Sequence, residues 1–256
     1  MPRFADKIVL VTGSGRGIGR EIALRFAHEG AHLVVNFFRN REPAETTAGE
    51  IRHLGRRALV VRANVGDLDD LARLYREIEA EFGALDILVH NAASGYNRPA
   101  LEQRPKGWEW TMNINARSLL FGAQHAARLM DGRGGAIVAI SSLGAQRVME
   151  EYVLVGTSKA ALEALVRYLG AELAPHDIRV NAVSPGVVLT DALEHFATFR
   201  DEGRDLVEEV QERTPAGRLT SPNDVADVVT YLCSAHAKMI VGQTIVVDGG
   251  YALLAR

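Results

Sequence analysis

Short aliphatic and β-branched runs recur along the chain at residues 7–12, 31–38, 58–63, 85–89, 136–140, 178–184 and 244–247, each the length of one strand. Between them the apolar positions fall at helical spacing. Such stretches lead from the glycines after the first run to Ala27, cover 42–54 with a stop at Gly55, and cover 68–82. A longer one starts at Trp108 and carries Leu119, Leu120, Phe121, Ala123, Ala126 and Ala127, which predicts a helix buried on more than one side. Another runs from about Tyr152 to Leu173 and is ended by Pro175, which cannot continue the hydrogen-bond ladder; the last opens on Pro222. Strands separated by helices in this order predict an α/β fold, a doubly wound parallel sheet in three αβα layers. Ligands of such sheets bind beyond the carboxyl ends of the strands, so candidate chemistry is sought there.

No Pro/Gly/Ser-rich linker, charge block or internal repeat divides the 256 residues, and 1–256 reads as a single domain. Hydrophobic content of 47% with aromatics at 6% supplies a large aliphatic core. The formal charge of −3 leaves no footprint for nucleic acid or an anionic membrane. Apolar runs are strand-sized, so no bilayer span is expected, and residues 1–7 lack the apolar region of a secretory signal. Cys233 is the sole cysteine, which excludes an intrachain disulfide and fits a cytoplasmic setting. The eight histidines never fall at ligand spacing, so no metal is expected.

The first run flows into Gly13-Ser14-Gly15-Arg16-Gly17-Ile18-Gly19 and then a helix. Strand, glycine turn and helix N-terminus together suit a pyrophosphate: glycine lets the backbone come close, and the helix's first amides favour negative charge. The second run ends Asn36-Phe37-Phe38-Arg39-Asn40-Arg41, without the carboxylate that usually meets the ribose hydroxyls of NAD. Arg16 and Arg39 are therefore candidates for a 2′-phosphate, with Asn36 as a hydrogen-bonding neighbour, and NADPH is the expected dinucleotide. Arg39 and Arg41 as solvated loop charges is the competing reading.

Further on, residues 136–140 deliver Ser141 and Ser142, and Tyr152 and Lys159 stand at the head of the next helix. A nearby ammonium would draw the phenol below its ordinary pKa of about 10 and make it a better proton donor. Ser142 would give a second hydrogen bond to the same substrate oxygen. Taken alone, Tyr152 reads as an ordinary first-turn tyrosine. His90, at a strand end, reads as a packed, hydrogen-bonded residue outside the site.

These motifs resemble the short-chain dehydrogenase/reductase family. Thr12, Gly13, Gly17 and Gly19 match its Thr-Gly-x-x-x-Gly-x-Gly, and Asn91 matches its Asn-Asn-Ala-Gly, where His90 departs from it. Most of the family reads Tyr-x-x-x-Lys. Here that position holds Val155, and the tyrosine lies seven residues before Lys159, the spacing of the family's enoyl-acyl-carrier-protein reductases. With Asn91-Ala92-Ala93-Ser94-Gly95, Trp110-Thr111-Met112-Asn113-Ile114-Asn115-Ala116 and the segment from Gly242 to Gly250, the chain is most similar to the NADPH-dependent type III members of bacilli.

The resemblance implies a Rossmann fold and a homotetramer. It implies a reductase that saturates the 2,3 double bond of trans-2-enoyl thioesters on acyl carrier protein with NADPH, in fatty acid synthesis. It implies catalytic roles for Tyr152, Lys159, Ser142 and Asn115, the last propping the lysine through a water. It implies that Asn64 and Val65 flank the adenine, that Asn91 and Ala92 lie along the ribose, that Pro185, Gly186 and Val188 meet the nicotinamide carboxamide, and that Thr190 lies near the phosphates. The segment 187–214 is long for a connection and is read as a substrate lid, walled by Ala192, Leu193, Phe196 and Phe199. An ordinary surface helix pair is the other reading of that segment. Carbonyl reduction, as in the family's 3-oxoacyl reductases, is the alternative activity, and a catalytically silent nucleotide-binding regulator is a third.

Overall fold

Period-two alternation inside the strands decides the architecture. In β1 (Ile8–Val11), Val9 and Val11 enter one core cluster and Ile8 and Leu10 the other. A strand buried on both faces has to lie inside a sheet covered on both sides. The computed structural model describes residues 2–189 and 203–254, with the backbone alone for 203–206.

The remaining strands are β2 (His32–Phe37), β3 (Ala58–Arg62), β4 (Ile87–His90), β5 (Gly135–Ile140), β6 (Ile178–Pro185) and β7 (Thr244–Val247). They form one parallel sheet in the order β3-β2-β1-β4-β5-β6-β7. The helices are α1 (Gly17–His28), α2 (Arg41–His53), α3 (Leu68–Phe82), α4 (Pro105–Met112), α5 (Ser118–Leu129), α6 (Val153–Leu173), α7 (Gly203–Glu212) and α8 (Pro222–Cys233). Ile22 and Phe26 of α1, Ile51 of α2 and Val229 of α8 cover one face of the sheet. Leu74 of α3, Leu119 of α5 and Leu162 of α6 cover the other, giving the three layers expected.

Local signals account for the boundaries. The α3 bounds match the sequence reading at both ends: Asp67 caps the start, its side chain accepting from the amides of Asp69 and Asp70 at 3.0 Å each, and Gly83, with a φ of 71°, ends it. The helix expected from Trp108 instead begins at Pro105, where a missing N–H leaves nothing unpaired. It is also broken: Asn113–Arg117 widens into one π-helical turn before α5 resumes. There Ser118 Oγ donates back to the Ile114 carbonyl and also meets His90 Nε2 at 2.7 Å. Such back-bonding bends a helix, and no periodicity reports it.

The sheet order reverses between β1 and β4, which opens a crevice at their carboxyl ends. Buried Asp86 ties the far ends of the same two strands, accepting from Lys7 Nζ at 2.8 Å and from the Ile8 amide at 2.9 Å. Among the described residues no helix is long and apolar enough to cross a membrane, and no three His, Cys, Asp or Glu side chains gather where a metal could bind.

Candidate active site

The glycine turn sits at the end of β1, in the crevice. Gly13 has a φ of 65°, which a side chain would strain. Its amide donates to Asn36 Oδ1 at 3.1 Å. Asn91, just past β4, donates through Nδ2 to the carbonyls of Thr12 at 2.9 Å and Gly13 at 3.2 Å. Thr12 Oγ1 accepts from the amides of Asn91 and Ala92 at 2.9 and 3.0 Å. The turn is therefore fixed from both neighbouring strands. Gly19 closes it so tightly that a Cβ there would lie 2.5 Å from the Gly13 carbonyl oxygen. This glycine-lined turn under the N-terminus of α1 has the shape and dipole that a dinucleotide phosphate needs.

Two predicted cofactor residues are corrected. Asn36 is buried, and beyond accepting from Gly13 its amide donates to the carbonyls of Val61 at 3.3 Å and Ala63 at 3.1 Å. It links β1, β2 and β3 and leaves nothing for a phosphate. Ser14 is fully buried, with its hydroxyl donating to the Val11 carbonyl at 2.8 Å. Both errors have one source, since proximity along the chain does not tell which way a side chain turns. Arg16 and Arg39 are exposed, and neither forms an ion pair among the described residues. Asn64 turns inward to its own loop, accepting from the Gly66 amide at 3.1 Å, and Val65 packs in the core. Gly186 lies tight against Asp248 and Thr220, and Val188 bridges to Thr220.

Past β5 the structure brings together the serine and the tyrosine. Tyr152 stands at the N-cap of α6, and its hydroxyl lies 3.4 Å from Ser142 Oγ. Lys159 is buried one strand end away, donating to the Ile140 carbonyl at 2.7 Å. Burial lowers the Lys159 pKa to about 8. The expected acidification of Tyr152 is not found: burial raises its pKa, and the Ser142 hydrogen bond opposes that only in part. A phenol so placed holds its proton firmly until charge develops beside it. Val155, where most of the family carries tyrosine, is buried and apolar.

Asn115 is fully buried in the π turn. Its Nδ2 donates to Ser158 Oγ and to the Ser94 carbonyl at 2.9 Å each, and its Oδ1 accepts from the Ser94 amide at 2.8 Å. It thus joins the loop after β4 to the residue preceding Lys159. His90 lies inside β4, with its pKa lowered to about 3, first by burial and then by the Lys159 charge. Its Nε2 meets Ser118 Oγ at 2.7 Å, and burial favours the neutral ring.

Sequence reasoning placed Thr12 in the glycine motif without reading its cross-strand bonds, and it missed one group altogether. Glu163 is buried on α6 one turn beyond Lys159, accepting from Ser141 Oγ at 2.7 Å and Gln146 Nε2 at 2.9 Å. A charged residue between Leu162 and Val166 in an otherwise apolar stripe was the available signal. A cavity of about 390 Å³ adjoins Ser142, bounded also by Leu143, Gln146, Arg147, Val246 and Leu253. Thr190 and the lid residues Ala192, Leu193, Phe196 and Phe199 lie outside the described residues.

This geometry has known counterparts. A family model described as enoyl-(acyl carrier protein) reductase matches residues 13–252. The chain is 38% identical over 249 residues to 1-cyclohexenylcarbonyl-CoA reductase of Streptomyces collinus, covering 97% of this chain and 88% of that one. It is 37% identical over 248 residues to the 3-oxoacyl-[acyl-carrier-protein] reductase FabG of Staphylococcus aureus strain MW2, covering 95% and 97%. A crystal structure of a gluconate 5-dehydrogenase from Burkholderia cenocepacia J2315, in complex with NADP and tartrate, superposes with a TM-score of 0.90 at 32% identity over 99% of both chains. The chain belongs to the short-chain dehydrogenase/reductase family, and it is an oxidoreductase of that family.

Proposed function

We propose that the protein reduces the 2,3 double bond of trans-2-enoyl thioesters with NADPH, the acyl group being carried on acyl carrier protein in fatty acid synthesis. The observation that carries this reading is the position of the phenol. Tyr152 meets Ser142 from the cap of α6, while Val155, one turn before Lys159, has no proton to give. Held in the crevice by the glycine turn and Lys159, the dihydronicotinamide would supply the hydride for the substrate's β-carbon. Charge then develops on the thioester oxygen, where the hydroxyls of Tyr152 and Ser142 stand as two prearranged donors. Lys159 as an ammonium would donate to the nicotinamide ribose. Asn115 braces the loop after β4 against the helix that carries Lys159. Protonation at the α-carbon completes the saturation. The Streptomyces relative, named for reducing a conjugated acyl thioester, supports this reading.

NADPH as cofactor rests on the exposed Arg16 and Arg39, and on the NADP held by the gluconate 5-dehydrogenase. Replacing either arginine by alanine is expected to raise the Kd for NADPH about tenfold and leave that for NADH within about twofold, as charge-assisted bonds to a phosphate are lost. Fluorescence titration with both nucleotides measures this, and an unchanged preference removes the pair from the phosphate site.

The lysine gives a pH signature. Binding uses the ammonium, and the free protein loses it above about pH 8. Above that pH the Kd for NADPH is expected to rise up to about tenfold per unit, because binding must then take up a proton. A Kd flat from pH 7 to pH 9.5 would exclude Lys159 as a charged ligand of the ribose. The sign for stability is the reverse. The folded chain binds fewer protons between about pH 8 and the ordinary lysine value, so relief of the buried charge favours folding as pH rises through that window.

A second reading, reduction of 3-oxoacyl thioesters, is favoured by the Ser142–Tyr152 pair itself, since two hydroxyls polarise a ketone as readily as an enolate oxygen. NADPH consumption with crotonyl and with acetoacetyl thioesters separates the two. Turnover confined to acetoacetyl thioester overturns enoyl reduction. The proposal includes a homotetramer, for which exposed Val246 on edge strand β7 and Tyr168 on α6 offer apolar contact surface. Sedimentation at monomer mass would exclude it.

A further inference from the structure

The loop that carries Ser142 is held at both ends by one carboxylate. Glu163 Oε1 accepts from Ser141 Oγ at 2.7 Å, and Oε2 accepts from Gln146 Nε2 at 2.9 Å. One helical turn earlier, Lys159 holds the preceding Ile140 carbonyl at 2.7 Å. Burying a carboxylate among Leu162, Val166 and their neighbours opposes folding unless each oxygen is bound, and an apolar residue would pack there without that demand. Both hydrogen bonds of Glu163 end in the loop, which also contributes Leu143 and Gln146 to the cavity wall beside Ser142.

We propose that Glu163 is a positioning residue for the reduction: by closing the loop from Ser141 to Gln146 it sets the Ser142 hydroxyl against Tyr152. The inference rests on the reading of Ser142 and Tyr152 as the substrate-oxygen site. It goes further in naming what holds that site in register. Glu163 acts on loop geometry rather than on the cofactor, because Lys159 keeps its own anchor on β5 and the glycine turn is fixed through Thr12 and Asn91.

The test compares Glu163→Ala with Glu163→Gln. The glutamine amide can donate to Ser141 Oγ and accept from Gln146, so it retains the closure; alanine loses both bonds. Glu163→Ala is expected to lower kcat about tenfold or more, as misplacement of a reacting group does, with the Kd for NADPH within about twofold of wild type and most of the rate restored in Glu163→Gln. In a Ser142→Ala background, Glu163→Ala should cost less than about twofold more, because the hydroxyl it positions is already gone. A kcat near wild type, a Kd that worsens in step with kcat, or full additivity with Ser142→Ala each overturns the proposal. Where Glu163→Ala does not fold, Gln146→Ala removes one arm from the loop's exposed end. It should lower kcat several-fold at unchanged Kd, and an unaltered kcat there overturns the proposal equally. All rates are measured with crotonyl and acetoacetyl thioesters. If only the second is reduced, the enoyl reading fails, and the same cycle on that substrate still decides the role of Glu163.

Discussion

Tyr152→Phe is expected to lower turnover of crotonyl thioester by about a hundredfold or more, with NADPH bound within about twofold of the wild-type affinity. The substitution removes one oxygen and leaves the ring, which packs close to the backbone of Gly144 and Gly156, so the head of α6 keeps its place. What disappears is one of two donors for the charge on the substrate oxygen. Ser142 remains, but its hydroxyl also accepts from the Gly144 amide at 3.2 Å and is the weaker acid. Val155 offers no substitute on the neighbouring turn, and Lys159 keeps its bond to Ile140, so cofactor binding is spared. Single-turnover loss of NADPH absorbance, with a parallel fluorescence titration, separates chemistry from binding. Turnover at the wild-type rate would remove Tyr152 from the reaction.

Gly19→Ala is expected to lower Tm by several degrees and weaken NADPH binding more than tenfold, an overpacking penalty of about 1–3 kcal/mol falling on the cofactor turn itself. A Cβ at this position lies against Asn91 Nδ2 and 2.5 Å from the Gly13 carbonyl oxygen. One of these belongs to backbone. The other already donates to Thr12 and Gly13, so neither yields without opening the turn. Gly49→Ala in α2 is the control, since nothing lies within 4 Å of a Cβ there. At Gly49 the ordinary helical preference for alanine should raise stability by about 0.5–1 kcal/mol and leave NADPH binding alone. Thermal unfolding and nucleotide titration on the two variants provide the comparison. If both raise Tm, the close approach of β1 and β4 at this turn is not limiting.

The strands and the order of layers were legible because each buried strand had to be apolar on both faces. Values such as Val9 against Leu10 carry that pattern openly. The bounds of α3 were legible from its helical spacing, and Asp67 and Gly83 are what fix them. Side-chain direction was not. Asn36 and Ser14 occupy the right stretch for a cofactor and turn away from it, satisfying backbone groups that the sequence does not display. The π turn at Asn113–Arg117 was hidden for a related reason, as it depends on a long-range contact between Ser118 and His90. The direction of the Tyr152 pKa depends on how deeply α6 buries its own cap, which spacing does not reveal.

Under the proposed reading, shape and nucleotide preference reside in different atoms. Thr12, Asn91 and Asn36 lock the turn from within the sheet, whereas Arg16 and Arg39 project from its rim and bear no part of that lock. On that reading, exchange at two solvent-facing positions would alter the choice between phosphorylated and unphosphorylated nicotinamides while leaving the locked turn as it is.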